Sequence, residues 1–280
     1  MLNPGAENCR RILASSPILT NGELNALRCI KENGFKAITL PALFNTDKSG
    51  DMDDACDTIF KAADIAIDKG YNIIILSDKN AGEKQAPIPA LLVCAGLHHH
   101  LIRKGTRMKV SIVLETGEPR EVHHMALLVG YGANAVNPYL VYDIIDEYTK
   151  SGIIETDSET AKANYKNAVT KGIISVASKM GISTMQSYQG AQIFEALGVS
   201  QKVVDKYFSG TVTRIGGITE ADIENEVLVR TDTAFDPVTA AYALESGGNF
   251  KWRSNGEYHM FNPDTVYKLQ MACRTGDYKL

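Results

Sequence analysis

The side chains best suited to chemistry in this 280-residue sequence fall in a few short clusters. His98-His99-His100 and His123-His124 stand out first. Two imidazoles chelate a metal from one helix when they are spaced i, i+4, whereas adjacent residues point about 100° apart. Neither cluster forms a chelate alone. His123 and His124 follow Glu115, Glu118, Arg120 and Glu121 at the end of an apolar segment and read as polar packing at a domain junction. Lys179, within Ser178-Lys179-Met180-Gly181-Ile182-Ser183-Thr184, has the chemistry of an anion contact or, if desolvated, of a base. Arg214, beside Gly216 and Gly217, suits a phosphate nest. For both, a solvated turn is the simpler reading.

Three other patterns point away from catalysis. Gly130-Tyr131-Gly132-Ala133-Asn134-Ala135 has the spacing of a dinucleotide turn, but it follows a helix and precedes a strand, the reverse of the order such a turn requires. It reads as a helix-terminating turn. The acidic loop 47–54 lacks the glycine and glutamate positions of a calcium loop and reads as a helix start with acids facing the dipole. Cys9, Cys29, Cys56, Cys94 and Cys273 are scattered, so reduced, packed thiols are expected rather than a disulfide or zinc framework. No Ser/His/Asp triad or pair of catalytic carboxylates can be assembled from spacing.

The elements that position these residues alternate between strands and helices. Strands are expected at 35–40, 71–78, 108–115 and 133–136, with helices at 52–68, 90–104, 120–128 and 138–149. The run Ile73-Ile74-Ile75-Leu76 has the consecutive large apolars of a strand buried on both faces. Repeated at ~30 residues, this pattern predicts a parallel sheet with right-handed crossovers. Beyond it, helices are expected at 159–180, 190–196 and 219–231 and a short strand at 183–185. An aromatic hairpin turning at Ser254-Asn255-Gly256 and a helix at 262–274 complete the chain. The fold class is therefore α/β: a (β/α) barrel-like or incomplete TIM-like parallel sheet with a C-terminal hairpin and helix appendage.

Charge and hydropathy narrow the partners. Lys and Arg total 29 against 33 Asp and Glu, a net charge of −4, which is no sheath for phosphates, so nucleic acid is not an expected partner. No apolar run approaches the ~20 residues that cross a bilayer. The first residues lack the features of a secretion signal, and a cytoplasmic location is expected.

Taken in order, several blocks carry a family resemblance. They begin with Ser16-Pro17-Ile18-Leu19-Thr20, the segment from His98 to Gly105, and Glu115-Thr116-Gly117-Glu118-Pro119-Arg120 running on to His124. The segments 127–140, 164–166, 178–184, 190–196 and 214–217 follow, then Gly256-Glu257-Tyr258-His259 and Phe261-Asn262-Pro263. In that order they resemble the central domain of the glutamate synthase large subunit, from about Pro17 to Tyr278.

The resemblance implies an enzyme that takes ammonia from glutamine at an amidotransferase site and passes it through a tunnel to 2-oxoglutarate over reduced FMN. Electrons come from a pyridine nucleotide or ferredoxin through an iron–sulfur cluster. The central domain itself is implied to carry no cofactor, to join the two active domains, and to help wall the tunnel. Its expected partners are the amidotransferase and FMN domains of the same polypeptide, with a small NADPH-oxidising subunit or ferredoxin in the full enzyme. The implied division is 1–16 as lead-in from the amidotransferase side, 17–246 as central domain and 247–280 as the start of the FMN-domain lead-in. This sequence lacks an N-terminal nucleophilic cysteine, a cluster-binding cysteine group and the flavin barrel, so an inactive excised domain or natural fragment is expected. Lys179 is not the family's substrate lysine, which belongs to the barrel. Pro17, Ile18, Leu19 and Thr20 are the expected channel segment, with His123, His124, Lys179 and Arg214 as channel or domain-interface residues. The competing expectation is a stand-alone α/β-barrel enzyme or small-molecule binding module with an anion site near Lys179 and Arg214.

Overall fold

A computed structural model describes residues 5, 11–48, 50–238, 247–248, 251–277 and 279. In chain order, helix α1 (Asn21–Arg28) precedes strand β1 (Ala37–Pro41), strand β2 (Leu43–Asn45) and helix α2 (Asp51–Asp68). Strand β3 (Ile73–Ser77), strand β4 (Gln85–Pro87) and helix α3 (Ala90–Arg103) follow. Then come β5 (Ser111–Glu115), α4 (Val122–Gly130), β6 (Ala135–Asn137) and α5 (Tyr139–Lys150).

The sheet is parallel throughout, in the order β1-β3-β5-β6. Ile18 bridges Val136 in parallel, so the segment before α1 lies along the outer edge of β6. No closed barrel forms among the described residues; the sheet is compatible with an incomplete TIM-like fold. Side chains alternate between faces along each strand. One face presents Ile74, Leu76, Ile112, Leu114 and Val136 to α2 and α3, while Ile73, Ile75, Val113 and Ala135 pack with Leu19 and with Leu24 of α1. Every residue of β3 is buried, as its unbroken apolar run requires. The face expected on α2 is the face buried, with Cys56, Ile59, Phe60, Ala63 and Ile67 all inside.

The following segment builds α6 (Ser158–Lys179), α7 (Met185–Tyr188), β7 (Glu195–Val199), α8 (Gln201–Tyr207), β8 (Val212–Ile218) and α9 (Glu220–Phe235). β7 and β8 form a separate two-stranded parallel sheet. Three elements differ from those expected. The helix expected at 190–196 is a loop leading into β7, because Gly190 and Gln192 adopt left-handed backbone with φ of 74° and 54°. The strand expected at 183–185 is instead the start of α7, where the Thr184 hydroxyl caps the Ser187 amide. The strand expected from 108 begins at Ser111, since Arg107–Lys109 turns as a short 3-10 helix.

Contacts divide the chain into residues 1–232 and 233–280. The second unit holds α10 (Pro263–Thr275), capped by Asn262 at its start and by Gly276 (φ 70°) at its end. The turn at Arg253–Gly256 forms, with Asn255 at φ 59°, but no strand flanks it among the described residues. Asn249 and Phe250 of the expected hairpin, Ser49 of the acidic loop and Cys9 lie outside the described residues. No helix of the described residues is long and apolar enough to cross a membrane.

Candidate functional site

Strands β3, β5 and β6 each end on a polar residue, and register brings those ends together. Ser77 pairs with Glu115, and Glu115 with Asn137, so the three sit on one rung at the C-terminal edge of the sheet. In open α/β sheets this edge is where ligands are handled. All three are buried. Aligned residues of a parallel rung share a face, and this is the face covered by α1.

Charge on the rung is neutralised locally. Ser77 Oγ donates to Glu115 Oε2 at 2.5 Å, and Arg28 Nη2, from the last turn of α1, pairs with the same oxygen at 2.7 Å. A buried carboxylate left unpaired would be costly, so α1 is tied to β5 by the charge as well as by Leu24. One residue further along, the Asp78 carboxylate accepts from the Thr116 hydroxyl at 2.5 Å and from the Gly117 amide at 3.1 Å. Burial pushes the Asp78 carboxyl up, and it pushes up the Tyr139 phenol bonded to it, whose rise the Asp78 charge reinforces.

Asn137 completes the rung and differs from the others. It is fully buried, and its Nδ2 donates to the Leu19 carbonyl at 3.0 Å and to Asn21 Oδ1 at 2.9 Å. The Tyr142 hydroxyl donates to the same Leu19 carbonyl at 3.2 Å. Its Oδ1 receives no hydrogen bond, although an orphaned buried acceptor costs about 1–3 kcal/mol. The backbone around it is fixed: Leu19 N donates to Val136 O, and Val136 N to Pro17 O, each at 2.8 Å. Beside this point opens a cleft of about 450 Å³ lined by Thr20, Asn21, Tyr142, Lys162 and Lys166, among others. Burial alone would raise the Glu23 carboxyl, but Lys166 at 2.8 Å and the Thr20 amide outweigh it and hold Glu23 low. The Ser77 hydroxyl and the Glu115 carboxylate of the rung are thus committed to each other. The buried atom of the rung left without a hydrogen bond is the neutral amide oxygen of Asn137.

The expected site residues separate into those that join this rung and those that do not. Pro17, Ile18, Leu19 and Thr20 run alongside Asn137, with Ile18 and Leu19 buried and Thr20 capping α1. His123 and His124 are exposed on α4; His123 meets the Phe194 ring edge-on at 6.4 Å, and His124 Nδ1 accepts from the Arg120 amide. Lys179 is exposed in the last turn of α6. Arg214 is exposed on β8, pairing with Glu195 at 3.1 Å, and the nest drawn around Gly216 and Gly217 gives way to extended strand. Among the described residues, no hydrogen bond or ion pair joins Lys179, Arg214, His123 and His124 to one another. Sequence reasoning missed Ser77, Asp78 and Asn137. The available signal was a polar residue closing each apolar strand.

The described residues do not fit an iron–sulfur cluster. Cys29, Cys56, Cys94 and Cys273 are free and dispersed, and burial pushes the Cys56 and Cys94 thiols up to about 12. No group of three or more His, Cys, Asp or Glu placed to hold a metal occurs among them.

Comparison with known proteins then supplies the family. The model of the glutamate synthase central domain matches residues 1–200. The chain belongs to the glutamate synthase central domain family. It is 45% identical over its whole length to the glutamate synthase [NADPH] large chain of Bacillus subtilis. It is 38% identical to ferredoxin-dependent glutamate synthase 2 of Synechocystis, with 97% of the chain covered, and 37% identical to glutamate synthase [NADH] of Schizosaccharomyces pombe, with 98% covered. The chain spans 18%, 18% and 13% of those relatives. It therefore corresponds to one central region of a glutamate synthase large chain, alongside other domains of the same polypeptide.

Proposed function

We propose that the chain is the coupling segment of a glutamate synthase, holding no reactive centre of its own. It helps to wall a passage by which ammonia, released from glutamine in an amidotransferase domain, reaches 2-oxoglutarate in a flavin domain. Residues 1–16 then lead in from the amidotransferase side, 17–246 form the central domain, and 247–280 open the lead-in to the flavin domain. FMN, the iron–sulfur cluster and the electron donor (a pyridine nucleotide or ferredoxin) belong to the neighbouring parts, and the whole works in the cytoplasm.

The observation that carries this reading is the orphaned Oδ1 of Asn137 beside the Pro17–Thr20 segment. A passage for ammonia needs neutral acceptors in close-packed walls that exclude bulk water. Asn137 Oδ1 is such an acceptor, and the nearby charges are already paired. His123, His124, Lys179 and Arg214, all exposed, are assigned to contacts with the neighbouring domains.

The test places this segment in the Bacillus subtilis large chain, in exchange for its counterpart, and measures glutamate formed per glutamine hydrolysed. Asn137→Leu should lower that ratio about threefold, equivalent to ~0.6 kcal/mol of lost passage, while synthesis from added ammonium persists. An unchanged ratio would refute the passage. In parallel, the 280-residue chain is melted with FMN, glutamine or 2-oxoglutarate. Native-state binding raises the midpoint with the logarithm of ligand over dissociation constant; the coupling reading expects no rise with FMN, and none with glutamine or 2-oxoglutarate that persists in His98→Asn.

A further inference from the structure

A second cleft, of about 360 Å³, opens where α3, the turn after α4 and the segments before β7 and β8 meet. No carboxylate lines it, and two guanidiniums stand behind its wall. Arg107 Nε donates to His98 Nδ1 at 2.9 Å, and Arg103 Nη1 donates to Ser209 Oγ at 3.2 Å. Their other hydrogen bonds go to uncharged oxygens: Val110, Gly132 and Lys206 carbonyls and the Asn134 amide. Among the described residues neither guanidinium has a carboxylate within ion-pair distance. Two cations without counter-charge behind an acid-free cleft favour an anion in it.

Arg107 also decides what the cleft presents. A guanidinium only donates, so His98 Nδ1 must accept and His98 Nε2 must carry the proton. Nε2 faces Gly190 on the cleft wall, 3.7 Å from where a Cβ would stand there. Burial, with the Arg107 and His99 charges, takes His98 down to about 3, so the ring stays neutral with this tautomer fixed. The Gly130-Tyr131-Gly132 turn makes the arrangement possible. A Cβ on Gly132 would stand 2.2 Å from His98 Nδ1, and one on Gly130 would stand 2.6 Å from the Phe194 ring. The glycine spacing that imitates a dinucleotide turn serves to admit two rings. The Tyr131 and Phe194 rings stack at 5.8 Å and give the cleft an apolar side. Gln192, also on the wall, holds φ at 54°, a left-handed conformation that costs a non-glycine residue roughly 1–2 kcal/mol. Such strain concentrates at functional sites.

We propose that this cleft binds a small organic carboxylate, its oxygens accepting from His98 Nε2–H and the Gln192 amide, its apolar body lying on Tyr131 and Phe194. The volume, at the small end of ligand pockets, suits a molecule the size of benzoate. This site is independent of the Asn137 rung.

The test titrates the 280-residue chain, with its histidine rings labelled by nitrogen-15, using benzoate, the neutral analogue benzamide, and inorganic phosphate. Benzoate should shift the His98 Nε2 resonance saturably, with benzamide and phosphate each binding at least about tenfold more weakly, as the loss of a charged hydrogen bond implies. His98→Asn keeps an acceptor for Arg107 but removes the donor, and should weaken benzoate about tenfold by calorimetry. His98→Gln, which restores a donor near the Nε2 position, should recover most of that loss. Absence of a saturable shift, equal binding of benzamide, tighter binding of phosphate, or unchanged affinity in a folded His98→Asn would each overturn the proposal. If both variants fail to fold, the contrast between benzoate and benzamide on the unaltered chain decides it alone.

Discussion

Three consecutive histidines on α3 have three different surroundings. His100 Nε2 bonds Asp64 at 3.0 Å, His99 meets the His98 ring edge-on, and His98 is buried against Arg107. Adjacency in sequence ruled out a shared chelate, but it could not show which imidazole would meet the guanidinium nine residues further along the chain. The same limit applied to Asn137, whose orphaned oxygen exists only because β5, β6 and the segment at Leu19 converge. His98 has a consequence for stability. Its folded-state value lies at about 3 against an ordinary 6.5, so between these limits the unfolded chain binds a proton that the folded chain refuses. The contribution of this residue is therefore whole above pH 6.5 and is lost as the pH falls toward 3, at up to ~1.4 kcal/mol per pH unit. Urea denaturation at about pH 7 and about pH 5 should show the unaltered chain losing ~1–2 kcal/mol more than His98→Asn, which has no ring to protonate. Equal losses would mean that the ring is protonated as readily in the fold as outside it.

At the scale of elements, the parallel strands were legible because burial on both faces leaves a signature of consecutive large apolars, as in Ile73–Leu76. α2 was legible because its apolar residues repeat on one helical face. α1, with only Leu24 buried, and β8, whose residues are nearly all exposed, have no such pattern to read. The turn after α4 was recognisable as a helix terminus, but its tertiary duty was not. Gly132 has φ of 108°, and the His98 ring fills the space above it. Gly132→Ala should therefore combine backbone strain with a clash and cost ~2–4 kcal/mol in chemical denaturation. Gly105→Ala, at φ 70° with nothing within 4 Å of the added carbon, should cost only the backbone strain of ~1–2 kcal/mol. If the two substitutions cost the same, the packing of His98 against this turn contributes nothing to the fold.

Across the whole molecule, the two units differ in what holds them. Residues 1–232 contain a sheet with apolar packing on both faces, whereas α10 in the second unit buries none of its side chains and leaves Val266, Tyr267 and Leu269 exposed. The first unit answers to periodicity in the sequence. The second was legible mainly through its caps, since Asn262-Pro263-Asp264 and Gly276 mark the ends of α10 whether or not anything packs on it. Good caps do not replace packing, because isolated helices shorter than about 12–15 residues are marginal in water. Amide exchange should register the difference. The central amides of β3 and β5, buried on both sides, should open only with global unfolding, whereas those of α10 should exchange at least ~100-fold faster by fraying. Equal protection would show that α10 is held by packing strong enough to unfold only with the sheet, and the contrast drawn from its exposed side chains would fail.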